Sequence, residues 1–335
     1  MKGVGSILFL MGALVVLMTA NVYFGAVNIP ARAVTDILLG HEAERASWNF
    51  IIWENRMPQA ITALFSGAGL AASGLLLQTA FRNPLAGPSI LGIDGGANLG
   101  VAVTLLLLGG SLTAGVFSLN GFLLVIIAAM AGAWAIMAIL IIFSRLLRSN
   151  TMLLITGVMI SYLTSSLISL LNYGATEEGV RSFMMWGLGS FANVTIDRLP
   201  AFVLTMSVGI IGSLLLIKPL NALLLGENYA TNLGINVRRT RTQLLFCTGL
   251  LTATSTAFCG PIAFVGLAVP HIARLILGTA DHRRLLPATL LTGACLALLC
   301  NLLSTLPADS LIPINVITPV LGAPVVIWVI MRMKE

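Results

Sequence analysis

Ten separate runs of apolar residues, nearly free of charge, constrain this chain more than any other feature of it. In hydrocarbon every backbone polar group must be satisfied within its own segment, so an apolar run of roughly 17 to 25 residues has to be helical. The runs lie near residues 5–27, 58–80, 90–108, 116–143, 152–171, 199–217, 243–259, 261–278, 286–306 and 314–331. The composition agrees, being 58% hydrophobic and only 9% charged, with a mean hydropathy of +1.00. A soluble enzyme or a nucleic-acid binder is excluded. The expected fold is all-α, a polytopic membrane protein of about ten transmembrane helices. The eighth run begins at Pro261 and holds Pro270 and His271, so it reads as a short or broken helix.

Positive charge is retained on the cytoplasmic side of a membrane, so the placement of Lys and Arg between the runs sets the expected orientation. With the N-terminus inside, the inner segments hold Lys2, Arg82, Arg145, Arg148, Lys218, Arg238, Arg239, Arg241, Arg274, Arg283, Arg284, Arg332 and Lys334. The outer segments hold Arg32, Arg45, Arg56, Arg181 and Arg198, a division of 13 against 5 among the 18 basic residues. Asp36, Glu42, Glu44, Glu54, Glu177, Glu178, Asp197 and Asp309 fall outside as well. Both termini are therefore expected in the cytoplasm. The formal net charge of +6 is explained by an inner membrane face and needs no nucleic-acid partner. Lys2 ahead of an apolar run also fits a secretory signal. The run outlasts a signal's apolar core, however, and no clean A-x-A site follows, so an uncleaved first helix is expected.

Motifs for enzyme chemistry are absent or out of context. Gly67-Ala68-Gly69-Leu70-Ala71-Ala72 matches a G-x-G-x-x-A dinucleotide fingerprint, but it lies inside an apolar run with no strand before it. These small residues read as helix-contact positions, as do Gly92, Gly96 and Gly100, which recur every fourth residue. No G-x-x-x-x-G-K-[ST] loop occurs, so the chain lacks that cradle for ATP phosphates. His41, His271 and His282 are scattered and suggest no metal site or triad, and His271 reads as a helix-end polar group. Cys247, Cys259, Cys295 and Cys300 lie in or beside apolar runs without C-x-x-C spacing, as packing residues do. Asp94 is the exceptional charge within a run, and its carboxylate is expected either to cap a helix start or to serve transport. No run carries the string of ionisable groups that an ion-driven carrier needs, so the driving energy is expected from outside the chain.

Two further patterns organise the sequence. Residues 80–86 (Ala-Phe-Arg-Asn-Pro-Leu-Ala) overlay residues 257–263 (Ala-Phe-Cys-Gly-Pro-Ile-Ala) at an offset of 177 residues, about half the chain. Two five-helix halves of opposite topology, about 1–175 and 195–335 within one domain spanning 1–335, would fit this repeat. Between the sixth and seventh runs, residues 218–241 are too polar to span and suit one or two short helices. Taken alone, this segment is equally an ordinary amphipathic connector.

The chain also resembles a known family, the permease subunits of ABC importers for iron–siderophore chelates, haem and vitamin B12. The resemblance rests on Arg56-Met57-Pro58, Gln78 with Arg82-Asn83-Pro84-Leu85-Ala86, and Pro88-Ser89-Ile90-Leu91-Gly92. It continues through Gly226-Glu227 with Ala230 and Leu233-Gly234, the run from Gly260 to Arg274, Asp281-His282-Arg283, and Leu321-Gly322-Ala323-Pro324. It implies a type II ABC importer permease fold in a bacterial cytoplasmic (inner) membrane. It also implies a homodimer with a path along the dimer axis, two ABC ATPase subunits beneath it, and an extracytoplasmic substrate-binding protein above. ATP and Mg would be held by the ATPase, with no cofactor in this chain. The segment 218–241, with Glu227, Ala230, Leu233 and Gly234, would couple to the ATPase, and Ser149, Asn150 and Thr151 would lie at the cytoplasmic gate. Arg56 would meet the binding protein. The chain departs from the family's docking charges at Gln59, Asn301, Thr305 and Leu311, and has Asn315 in place of a Gly. An ATP-independent secondary carrier or channel stands as the alternative, and the substrate itself is left open among ferric siderophore, haem and cobalamin.

Overall fold

The computed structural model describes residues 2–41, 44–107, 118–147, 149–306 and 312–332. Glu42, Arg148, Asp309, Leu311, Lys334 and the side chain of Asn150, all named above, lie outside the described residues. The first half of the chain runs through α1 (Lys2–Tyr23), α2 (Ala31–Leu38), α3 (Ala46–Phe50), α4 (Met57–Ala80), α5 (Ile93–Ala102), α6 (Ser118–Leu146), α7 (Asn150–Tyr173) and α8 (Glu177–Gly187). The second comprises α9 (Leu199–Leu215), α10 (Ile217–Leu224), α11 (Glu227–Asn232), α12 (Val237–Cys259), α13 (Val265–Leu277), α14 (His282–Thr305) and α15 (Ile314–Arg332). A π-helical stretch, Ile51–Arg56, leads into α4, and another, Val103–Leu107, extends α5.

Each of the ten apolar runs carries a helix, and the fold is all-helical among the described residues. Among the described residues five helical stretches are long and apolar enough to cross a membrane unaided, and α9 with α10, bent by 49°, would make a sixth if the pair is one span. The others depend on their neighbours. α5, α13 and α15 are short, and α12 opens with Arg238, Arg239 and Arg241 and continues through buried threonines. α13 starts four residues later than its run because Pro261 and the left-handed Phe264 hold the chain out of helix.

α4 is the hub of the packing, with α9, α12, α13 and α14 all against it. Glycine permits the closest of these crossings. A methyl group on Gly67 would strike the Gly293 carbonyl of α14, one on Gly74 the Gly266 carbonyl of α13, and one on Gly100 the Ala128 carbonyl of α6. Without a hydrophobic drive between helices in lipid, such close approach supplies the dispersion contacts that hold them together. The fingerprint-like Gly67 and the residues Gly96 and Gly100 are thus helix contacts, as expected; Gly92 instead precedes α5 with φ 78°.

The two copies of the seven-residue repeat lie at the ends of α4 and α12, and the chain just after the first shares a cavity with the end of the second. Asn83 breaks α4 with Pro84 behind it, and its Oδ1 accepts the Leu85 N–H at 2.9 Å. The segments 87–90 and 262–264 close around a cavity of about 140 Å³ between them, and His271 Nε2 bonds the Pro84 carbonyl at 2.8 Å. Packing around these loops repeats in kind, α4 lying on α13 and α14 as α12 lies on α5 and α6.

Candidate functional site

The segment expected to be a polar connector forms two short helices, joined and closed by glycines. Gly226, with φ 115°, separates α10 from α11. At the other end Gly234 adopts φ 80°, which lets its N–H reach Thr231 O at 2.9 Å and the Ile235 N–H reach Ala230 O at 3.0 Å. That pair of bonds satisfies the carbonyls ending α11 and turns the chain into α12, whose start Asn236 caps by accepting the Arg239 N–H at 3.0 Å.

Exposure divides the residues named for this segment. Leu233 is 59% exposed and Gly234 faces open space. Ala230 was expected at a partner surface, but it is 0% exposed and packs into the main core, because the bonds that close α11 turn that side inward. Glu227 is also turned back on the subunit, paired with Arg241 Nη2 at 2.8 Å. The outward apolar surface includes Leu225, Tyr229 (51% exposed) and Leu233, spaced every fourth position, with Leu224 beside them. Leu225 and Tyr229 were missed in the sequence, although that spacing was there to be counted.

Hydrogen bonds brace the pair of helices against the bundle. Asn221 of α10 donates to Asp281 Oδ1 at 2.6 Å and accepts the His282 N–H at 2.8 Å and its Nδ1–H at 2.9 Å. The His282 Nε2 then meets the Thr79 hydroxyl of α4 at 2.8 Å. Arg82 donates to Leu224 O at 3.2 Å from a left-handed backbone, φ 48°, at the end of α4. A non-glycine residue held there is uncommon and costs about 1 kcal/mol. Arg274 and Gln78 (2.7 Å) tie α13 to the same end of α4. Displacement of α10 therefore reaches α4, α13 and α14 through fixed bonds.

The expected gate lies beside this assembly. Ser149 is half-buried with extended backbone before α7, Asn150 opens that helix, and Thr151 is exposed. The turn just ahead of them, Ser144 to Leu147, lines a cavity of about 670 Å³ together with Glu227, Thr231, Ile235 and Arg241. Arg241 spans it, holding Glu227 with one nitrogen while the other approaches Ser144 O at 3.5 Å.

The far end of α4 differs from expectation. Arg56 is only 6% exposed, and its guanidinium donates to Val22 O and Tyr23 O, each at 2.8 Å, and also to Val27 O. It clamps the end of α1 to α4 and is largely buried. The departures at Gln59 and Asn301 are linked to one another. Gln59 donates to Asn301 at 2.9 Å and Asn301 to Asn21 at 2.8 Å, which joins α4, α14 and α1 by neutral amides. Thr305 bonds back to Asn301 O at 3.1 Å. Asn315 donates to Gly187 O at 3.0 Å and Pro261 O at 2.6 Å and accepts the Ala263 N–H at 3.1 Å, pinning α15 to the 260–263 loop. Asp94 does not cap α5, whose N-cap is Gly92. No His, Cys, Asp and Glu cluster suited to a metal occurs among the described residues.

Comparison with known proteins agrees with this architecture. Residues 13–332 match the FecCD transport family. The hemin transport system permease protein HmuU of Yersinia pestis is 36% identical over 334 residues, covering 98% of this chain and 95% of that protein. The vitamin B12 import system permease protein BtuC of Salmonella typhi is 36% identical over 288 residues, 86% of this chain and 85% of that one. A solved structure described as an inward-facing conformation of an ABC transporter assigned to the metal-chelate type matches with a TM-score of 0.83 at 32% identity, over 98% of this chain and 99% of that one. With sequence and fold matching almost from end to end, the chain belongs to the FecCD transport family, as a membrane permease.

Proposed function

We propose that this chain is the permease subunit of an ATP-driven ABC importer that passes a large metal chelate from an extracytoplasmic binding protein to the cytoplasm. It acts as a homodimer in the bacterial cytoplasmic membrane, both termini inside, with two ABC ATPase subunits that bind ATP and Mg. The observation that carries this reading is the exposed ridge of Leu225, Tyr229 and Leu233 on a braced pair of helices. An ATPase cleft that takes up the ridge moves α10 as it closes, and the Asn221 and Arg82 bonds pass the movement to the ends of α4 and α14. Arg241 couples the same motion to the turn before Ser149, Asn150 and Thr151, the gate. The repeated loops and the repeated packing of α4 and α12 support two halves, about 1–175 and 195–335, in one domain.

For the cargo, HmuU and BtuC are named for hemin and vitamin B12, both bulky metal complexes, and ferric siderophores form the third class. Uptake of radiolabelled hemin, cobalamin and a ferric siderophore into proteoliposomes holding the full complex assigns it. Replacing Tyr229 and Leu233 together by Glu is expected to reduce co-purification of the ATPase at least about tenfold, since each apolar side chain contributes above 1 kcal/mol at such an interface. The permease should still fold, because both side chains are exposed. Undiminished co-purification overturns the coupling surface, and gradient-driven uptake without any ATPase favours the secondary carrier.

A further inference from the structure

A second polar feature lies deep in the bundle, apart from the coupling machinery. Asp94 is 9% exposed. Its carboxylate accepts the Ser89 hydroxyl at 2.6 Å on one oxygen and the Thr256 hydroxyl at 2.9 Å on the other. Among the described residues no cation is paired with Asp94. Beside it lies a cavity of about 300 Å³ lined by Asp94, Asn98, Ser161, Thr164 and Ser165, with the 261–263 loop as its far wall.

Two of the cavity's hydroxyls are arranged to accept. Ser161 gives its proton to Gly157 O and Thr164 gives its proton to Ser161 O, each at 3.0 Å, so both hydroxyl oxygens keep only lone pairs to offer. Asn98 Oδ1 is buried and has no hydrogen-bond partner. Oxygen acceptors thus line one cavity with a carboxylate that no cation among the described residues pairs. An acidic cavity midway along α7 is tolerated in a membrane only where it faces water, not lipid, which puts this side of α5 and α7 on the translocation path.

We propose that the cavity receives a single positive charge, either the alkylammonium group of a passing cargo or a free alkali cation. The identity of the path rests on the importer reading; the acceptor set does not. A monovalent cation satisfies the arrangement because it supplies the missing counter-charge and takes up the unpaired oxygens at once.

Thermal unfolding of the permease–ATPase complex in nanodiscs tests this, in sodium, potassium, methylammonium and tetramethylammonium chloride at equal ionic strength. Tetramethylammonium is the control, since it can neither donate a hydrogen bond nor accept oxygen ligands closely. At least one of the other cations is expected to raise the midpoint by roughly 2 to 4 °C over the control. Asp94→Asn should abolish the rise. Asn98→Leu, which leaves the carboxylate's own bonds intact, should reduce it and serves alone if Asp94→Asn does not fold. Protection by methylammonium alone points to an amine on the cargo, protection by sodium or potassium alone to a free ion, and protection by both to the shared site. Equal midpoints in all four salts, or a rise untouched by both substitutions, overturn the proposal. Basal ATP hydrolysis by the same wild-type complex checks the importer reading separately.

Discussion

The two ends of α4 handle the same problem in opposite ways. Beyond Ala80, at the α10–α11 end, Asn221, Asp281, His282 and Thr79 join as struts while Tyr229 and Leu233 stand exposed. Before Met57, at the Arg56 end, a cation and a row of amides are all consumed by neighbours within the chain. Exposed apolar groups on a braced element mark a surface built to be covered. Buried polar groups with every bond made mark one built to hold still. A motif position alone does not distinguish these outcomes, as Arg56 and Ala230 both demonstrate.

The strongest way to break this comparison is Arg56→Glu. It removes three bonds to carbonyls and buries a negative charge among them, so a loss of about 3–5 kcal/mol is expected. Thermal unfolding of the purified permease reads it. A variant that unfolds like wild type yet fails in uptake would return Arg56 to the docking surface.

A smaller effect is expected where Glu227 meets Arg241, because the carboxylate is partly exposed and such pairs contribute about 1 kcal/mol or less. Arg241→Glu should leave the fold intact but lower cargo-stimulated ATP hydrolysis, and the exchange Glu227→Arg with Arg241→Glu should restore part of it. Failure of the exchange, with Arg241→Glu unaffected, would remove this pair from the coupling route.

The smallest effect concerns acid. The Arg283 N–H and then the Asn221 side chain hold the Asp281 carboxyl below the usual carboxylate range. A group whose native value is depressed stabilises above its unfolded value, about pH 4, and loses that contribution as pH falls through the lower native one. Stability attributable to Asp281 should therefore be constant from neutral pH to about pH 5 and fade only below about pH 4. The difference between wild type and Asp281→Asn isolates it, and a difference that grows toward neutral pH would contradict the assignment.

Much of the fold was legible because membrane helices are written locally. Each apolar run must satisfy its own backbone, so counting runs located ten helices, and Pro261 with Pro270 marked α13 as short or broken, which it is, at Val265–Leu277. The polar length of 218–241 likewise suited one or two short helices, and two are formed. Helix ends were less legible. The first helix stops at Tyr23, short of the apolar run's limit at residue 27, because 24–27 turn to supply a carbonyl to Arg56. The site was legible as a segment but not as a surface, since facing is set by residues about sixty positions away, such as Asp281 and His282 holding Asn221.

By itself, then, the sequence determined that the chain is a helical membrane protein, which stretches are helices, and where polar residues interrupt them, because those properties depend on each segment's own transfer into lipid. Tertiary structure decided which small residues touch, that segments 87–90 and 262–264 share a cavity, that Arg56 is a clamp and Ala230 a core residue, and that Asp94 looks into a cavity. Those depend on which partner each side chain meets, and in a bundle the partner comes from another helix.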